Sequence, residues 1–174
     1  DKHRLPPLDI EVEEGKKLSI GSKTFQIIDV DGHTVGHIAY SLLEDRALFT
    51  GDSLMVMGCG RLFEGTPEDM WKSLEKLKKF PEDTMIYSGH EYTKSNIEFA
   101  LTIDPENGKL KDRRAKELER LRRGLPTVPS SLRDELDTNP FLRESDPSIV
   151  DYLDTANLDP ISRFAKIRSL KDNF

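Results

Sequence analysis

The chain has 174 residues, 36% of them hydrophobic and 33% charged, enough for one ordinary soluble domain or one modest domain with an appendage. No apolar run approaches the roughly 18 residues of a membrane span, and a formal net charge of −6 argues against a nucleic-acid partner. A single cysteine, Cys59, excludes an internal disulfide and a cysteine-rich zinc module.

The chain opens "DKHRLPPLDI", with neither a methionine nor a signal-peptide pattern, and His3 in this leader has no assigned role. Short β-branched and aromatic runs separated by glycines then predict strands at 23–30, 37–43, 46–52 and 84–90. Between the last two lies "TPEDMWKSLEKLKKF". Thr66 suits an N-cap, Pro67 the first helical position and Asp69 the capping box, while Met70, Leu74 and Leu77 recur at helical spacing. Beyond residue 90 the periodicity predicts helices at 93–103, 108–124, 147–155 and 159–170. The heavily charged Lys109–Arg123 stretch reads as a solvated helix laced by opposite charges. The proline-bearing stretch 125–146 reads as a loop draped over other structure. Two regions follow, 1–90 and 91–174, the second all-helical.

Three strands end alike: "DVDGH" at His33, "LFTGD" at Asp52 and "IYSGH" at His90. Each is an apolar run, a short polar step, a glycine that permits a sharp turn, then a metal-competent side chain. Ligand sites gather at the carboxyl ends of strands in α/β sheets. A hairpin around Glu44–Arg46 would also bring His37, at the entry of one strand, towards Asp52 at the exit of the next. Imidazoles and a carboxylate converging in this way suit zinc or iron. Against this stands the commoner fate of a loop histidine, which is to be a solvent-exposed group or a cap. His37, at the start of a strand, is expected to support the site without ligating. Glycines flank Cys59 and no base lies near it in sequence, so a small side chain in a tight loop explains it better than a nucleophile.

"GHTVGHIAYSL", "LFTGDSLMVMGCGRLFEGT", "YSGHEYTKSNIEFAL", "NPFLR" and "IRSLKDNF" occur in this order and together resemble glyoxalase II of the metallo-β-lactamase superfamily. The resemblance implies an α/β chain: the C-terminal part of a metallo-β-lactamase (αββα) fold, followed by an all-helical domain. It implies metal-dependent hydrolysis of S-acyl glutathione thioesters, S-lactoylglutathione being the expected substrate, at a two-zinc site, with iron or manganese as alternatives. Glutathione thioester would be the small-molecule partner, with no nucleic acid and no membrane, in the cytoplasm or alternatively the mitochondrion. By its motifs, His33 resembles a ligand of the first metal, Asp52 the catalytic bridging carboxylate and His90 a ligand of the second. Arg61, Phe63 and Tyr92 match positions around glutathione, and Arg168 and Lys171 match cations that hold its carboxylates. Without the resemblance, Arg168 and Lys171 read as cations favoured at a helix C-terminus.

Two features depart from the family. Its Thr-His-x-His-x-Asp-His motif has no counterpart, since the chain contains no His-x-His, and Asp31 stands where the family commonly has proline. His33, Asp52 and His90 alone leave each metal short of the three protein ligands of a catalytic zinc. The expectation is therefore the C-terminal portion of a longer chain, poorly active or inactive alone, with a sheet edge unpaired and a hydrophobic face uncovered. Rival readings are a one-iron glutathione persulfide dioxygenase and an inactive paralogue that binds glutathione or a protein.

Overall fold

The alternating runs of the first half form a mixed sheet in a computed structural model that describes residues 5–174, so His3 lies outside the described residues. Strands β1 (Lys17–Ile20), β2 (Lys23–Asp29), β3 (Ile38–Leu42) and β4 (Ala47–Gly51) make an antiparallel meander. Helix α1 (Pro67–Leu77) then returns the chain so that β5 (Met85–Ser88) runs parallel to β4. A two-residue strand β6 (Ser130–Ser131) lies antiparallel to β5, giving the order β1-β2-β3-β4-β5-β6.

The remaining elements are helical: α2 (Thr93–Ile103), α3 (Gly108–Arg122), α4 (Leu132–Thr138), a 3-10 turn (Pro140–Leu142), α5 (Pro147–Tyr152) and α6 (Pro160–Asp172). Helix α1 starts as its sequence dictates. Thr66 Oγ1 accepts from the Asp69 amide, and the Asp69 carboxylate accepts from the Thr66 amide. Within it, Met70, Leu74 and Leu77 are buried.

Side chains alternate across the sheet, so Ile28, Ala39, Leu48 and Ile86 share one face. That face joins Met70, Leu74 and Leu77 of α1, Phe99 of α2 and Phe164 and Ile167 of α6 in one apolar cluster. The core therefore runs through both halves of the chain, and the second half contributes β6 to the sheet. Phe25, Tyr40, Phe49 and Tyr87 form an aromatic row on the opposite face, with neighbouring ring centroids 5.0–6.4 Å apart and Phe49 37% exposed.

The four expected strands and the five expected helices form with small changes at their ends. Stretch 125–146 differs from the expected loop: it holds β6, α4 and the 3-10 turn. Ser131 Oγ accepts from the Asp134 amide and starts α4 immediately after the prolines. Asn139 ends that helix and caps the 3-10 turn by accepting from the Phe141 amide.

Candidate metal centre

Strand direction brings the three predicted ligands together. Because β2 and β4 are each antiparallel to β3, and β5 is parallel to β4, the carboxyl ends of β2, β4 and β5 share one edge of the sheet. His33, Asp52 and His90 sit just beyond those ends. His33 Nε2 lies 3.4 Å from Asp52 Oδ2, and His90 Nδ1 lies 2.6 Å from Asp52 Oδ1. The carboxylate thus presents one oxygen to each imidazole.

The tautomer of His33 follows from its partner. Its Nδ1 is 2.8 Å from the carbonyl of Arg61, which can only accept, so the tautomer that keeps this hydrogen bond carries its proton on Nδ1 and leaves Nε2, on the Asp52 side, available to ligate. His37 does not join the ligands. It packs edge-on against His33, with centroids 5.9 Å apart, and a Cβ on Gly51 would come within 2.4 Å of its Nε2. Gly51, at φ +53, suits both the left-handed turn into Asp52 and this close approach. Burial, then repulsion from His33, holds the His37 imidazole below its usual pKa, favouring the neutral ring.

Asp31 braces the loop: its Oδ1 accepts from the Gly36 amide at 2.6 Å, and its carbonyl accepts from Ser73. The extra carboxylate is therefore used within the 31–36 turn.

Two donors about 2.0–2.1 Å from a shared tetrahedral zinc stand about 3.4 Å apart. His33 and Asp52 meet that spacing, whereas His90 and Asp52 are at hydrogen-bond distance and must part slightly to admit an ion. His90 has room to do so, its side chain being 54% exposed. Among the described residues no group of three or more His, Cys, Asp or Glu side chains is arranged to hold a metal ion. The three side chains place one carboxylate oxygen beside each of two imidazoles, and a metal held on either side would need further donors.

A cavity of about 850 Å³ opens onto these residues and is lined by His33, Asp52, His90, Arg61, Phe63, Tyr92, Arg168 and Lys171. Phe63 packs on the His33 ring, centroids 4.9 Å apart, and Tyr92 lies parallel to His90 at 5.4 Å. Lys171 Nζ donates to the Ser95 carbonyl and hydroxyl and lies over the rings of Phe99 and Phe174. Burial, then the nearby charges of Arg168 and Arg61, lowers its pKa to about 8.

Arg168 differs from Lys171. It is 3% exposed and donates to the Cys59 carbonyl and to Asp172, with only Nε lacking a partner among the described residues. Cys59 is buried beneath it, and desolvation pushes its thiol up to about 11, which suits a packed side chain and not a nucleophile.

Sequence reasoning missed Ser95, Asn96 and Gly60, which also line the cavity. Gly60 carried a local signal, since glycine in a tight loop marks close backbone approach; a Cβ there would sit 2.2 Å from the Asp52 carbonyl. Ser95 carried none, because its partner lies 76 residues away.

Residues 3–90 match the family model described as metallo-beta-lactamase superfamily, and residues 91–174 match that described as hydroxyacylglutathione hydrolase C-terminus. A hydroxyacylglutathione hydrolase of Ruegeria pomeroyi is 54% identical over the whole chain, and one of Methylococcus capsulatus is 46% identical. The chain spans 68% of the length of each of these relatives. Among solved structures, TTHA1623 in a di-iron-bound form is 27% identical with a TM-score of 0.52, covering 79% of this chain and 50% of its own. ETHE1 from Myxococcus xanthus, 24% identical with a TM-score of 0.55, covers 90% of this chain and 60% of its own, and shares the fold.

Proposed function

The chain belongs to the hydroxyacylglutathione hydrolase, or glyoxalase II, family of the metallo-beta-lactamase superfamily, and on that premise we propose that it hydrolyses S-acyl glutathione thioesters, with S-lactoylglutathione the substrate. The observation that carries the chemistry is Asp52, whose two oxygens each face one imidazole. The superfamily implies a divalent metal site, and the similarity to a di-iron protein supports a pair. Imidazole and carboxylate donors suit zinc, with iron or manganese as alternatives.

His33 and Asp52 would hold one metal, and Asp52 and His90 the other, with additional donors completing each set. When bound, such a pair supplies an activated water and a Lewis acid for the thioester carbonyl. The chain's own residues hold and orient the rest. Arg61 and Lys171 offer charges for the carboxylates of glutathione. Phe63 and Tyr92 flank the ligand histidines and wall the channel in which the thioester carbon would lie. Arg168, buried and committed to the Cys59 carbonyl and Asp172, contributes the field of its charge. Water adds to the carbonyl carbon, the C–S bond breaks and lactate leaves. The glutathione thiolate departs without a dedicated acid, since thiols ionise near pKa 8.5.

Neither rival reading is favoured, because relatives at 46–54% identity are hydroxyacylglutathione hydrolases. The test is loss of thioester absorbance from S-lactoylglutathione with added zinc. Because each metal lacks donors among the described residues, turnover is expected to be weak, and a chelator or Asp52→Asn abolishes it. Turnover indifferent to both sinks the reading, as does oxygen uptake with glutathione persulfide in place of hydrolysis.

A further inference from the structure

Outside the lining of the cavity is a buried carboxylate that the reaction does not use. Glu135 of α4 is 0% exposed and takes four donors on its two oxygens. Oε1 accepts from Arg113 Nη2 and Ser130 Oγ, both at 2.6 Å. Oε2 accepts from the Met57 amide at 2.8 Å and from Asn139 Nδ2 at 3.0 Å. A buried ion pair is weak evidence for stability, since apolar packing often does as well. Its geometry therefore asks what else it fixes.

It fixes a turn. Met55 and Gly58 exchange backbone hydrogen bonds at 3.0 Å, and Met57 between them is held at φ +54, unfavourable for a residue with a Cβ. The outward-facing groups of this turn are bound by side chains from the second half of the chain. Glu135 takes the Met57 amide, Asn96 Nδ2 donates to the Val56 carbonyl at 3.0 Å, and Asn139 Nδ2 donates to the carbonyls of Met55 and Gly58. Asn96 and Asn139 are themselves 6% and 0% exposed.

Three residues past this turn is Arg61, whose carbonyl sets the tautomer of His33. Between them runs Gly60, pressed against the Asp52 carbonyl and His33 Nδ1. We propose that Glu135, through the Met55–Gly58 turn and with Asn96 and Asn139 as its partners, is a positioning residue that holds the Arg61 carbonyl on His33 and so keeps His33 Nε2 facing Asp52.

The count of donors makes this testable. Glutamine has one acceptor oxygen in place of two, and the Arg113 cation claims it. In Glu135→Gln the amide NH2 then faces the Met57 amide and Asn139, donor against donor. The proposal rests on the hydrolase reading only for its purpose. Both readouts are made on the protein without metal or substrate, so failure of that reading leaves them intact.

The first readout is amide exchange at Met57, expected to accelerate at least about tenfold in Glu135→Gln as its hydrogen bond is lost. The second is the ratio of Nδ1–H to Nε2–H tautomers at His33, read by ¹⁵N NMR with the imidazole neutral. That ratio is expected to fall by roughly fivefold, the worth of one ordinary hydrogen bond. An unchanged His33 ratio beside a released Met57 amide overturns the proposal, because Arg168 on the Cys59 carbonyl would then hold the loop alone. An unchanged Met57 amide overturns it too. If Glu135→Gln fails to fold, Asn96→Ala removes a single bond from the same turn. A smaller fall in the His33 ratio supports the proposal, and an unaltered ratio overturns it.

Discussion

Lys171 and Gly60 carry the sharpest residue-scale consequences. Lys171 is an amine whose pKa is lowered to about 8 by burial and then by neighbouring cations. Its charge is present below that pH and lost as pH rises through it. Affinity for S-methylglutathione, which cannot be hydrolysed, should therefore weaken between pH 7 and 9, and Lys171→Met should flatten that slope. A calorimetric titration across this range checks both. Gly60→Ala places a methyl 2.2 Å from the Asp52 carbonyl and 2.9 Å from His33 Nδ1. Displacing both candidate ligands should cost about 10–100-fold in zinc affinity, as loss of ligand-orienting contacts does, measured against a zinc indicator. His33, Asp52 and His90 could be read in the sequence because each follows a strand and a glycine. Arg61 was noticed for its side chain, whereas its carbonyl does the orienting; no sequence pattern reports a backbone acceptor 28 residues from its donor.

At the scale of elements, α1 is defined by its own sequence and α4 by its surroundings. The reciprocal Thr66–Asp69 cap satisfies two amides that the helix cannot. Thr66→Ala should lower stability by about 1 kcal/mol, a fall of roughly 2–4 °C in melting temperature for a chain of this size. A change below half a degree by calorimetry would contradict the role of the cap. Helix α4 was hidden by the prolines before it and by its short length. Its start at Ser131 was legible in principle, since Ser131 and Asp134 have the spacing of a cap. Its purpose was not, because Glu135 reads as a surface acid until its partners Arg113 and Met57, 22 and 78 residues away, are known.

For the whole molecule, one apolar core joins the sheet to the helices that follow it, from Ile28 and Leu48 to Phe164 and Ile167. The two regions read from the sequence should therefore melt together. Phe164→Ala should cost roughly 3–5 kcal/mol and lower a single transition seen alike by near-ultraviolet and far-ultraviolet dichroism; two separate transitions would contradict a shared core. The same packing brings Arg168 and Lys171 of α6 to a cavity whose floor is the sheet edge, which explains how the candidate ligands that follow β2, β4 and β5 share a cavity with cations from the last helix. That convergence rests on strand order, with β5 parallel to β4, which local periodicity alone does not reveal. The measurement that tests the central claim most directly is a zinc titration of the protein beside Asp52→Asn, His33→Ala and His90→Ala. If Asp52 bridges a metal pair, Asp52→Asn weakens both equivalents by at least about tenfold, while each histidine variant weakens one. Wild-type affinity in Asp52→Asn, or loss of a single equivalent there, would contradict the account.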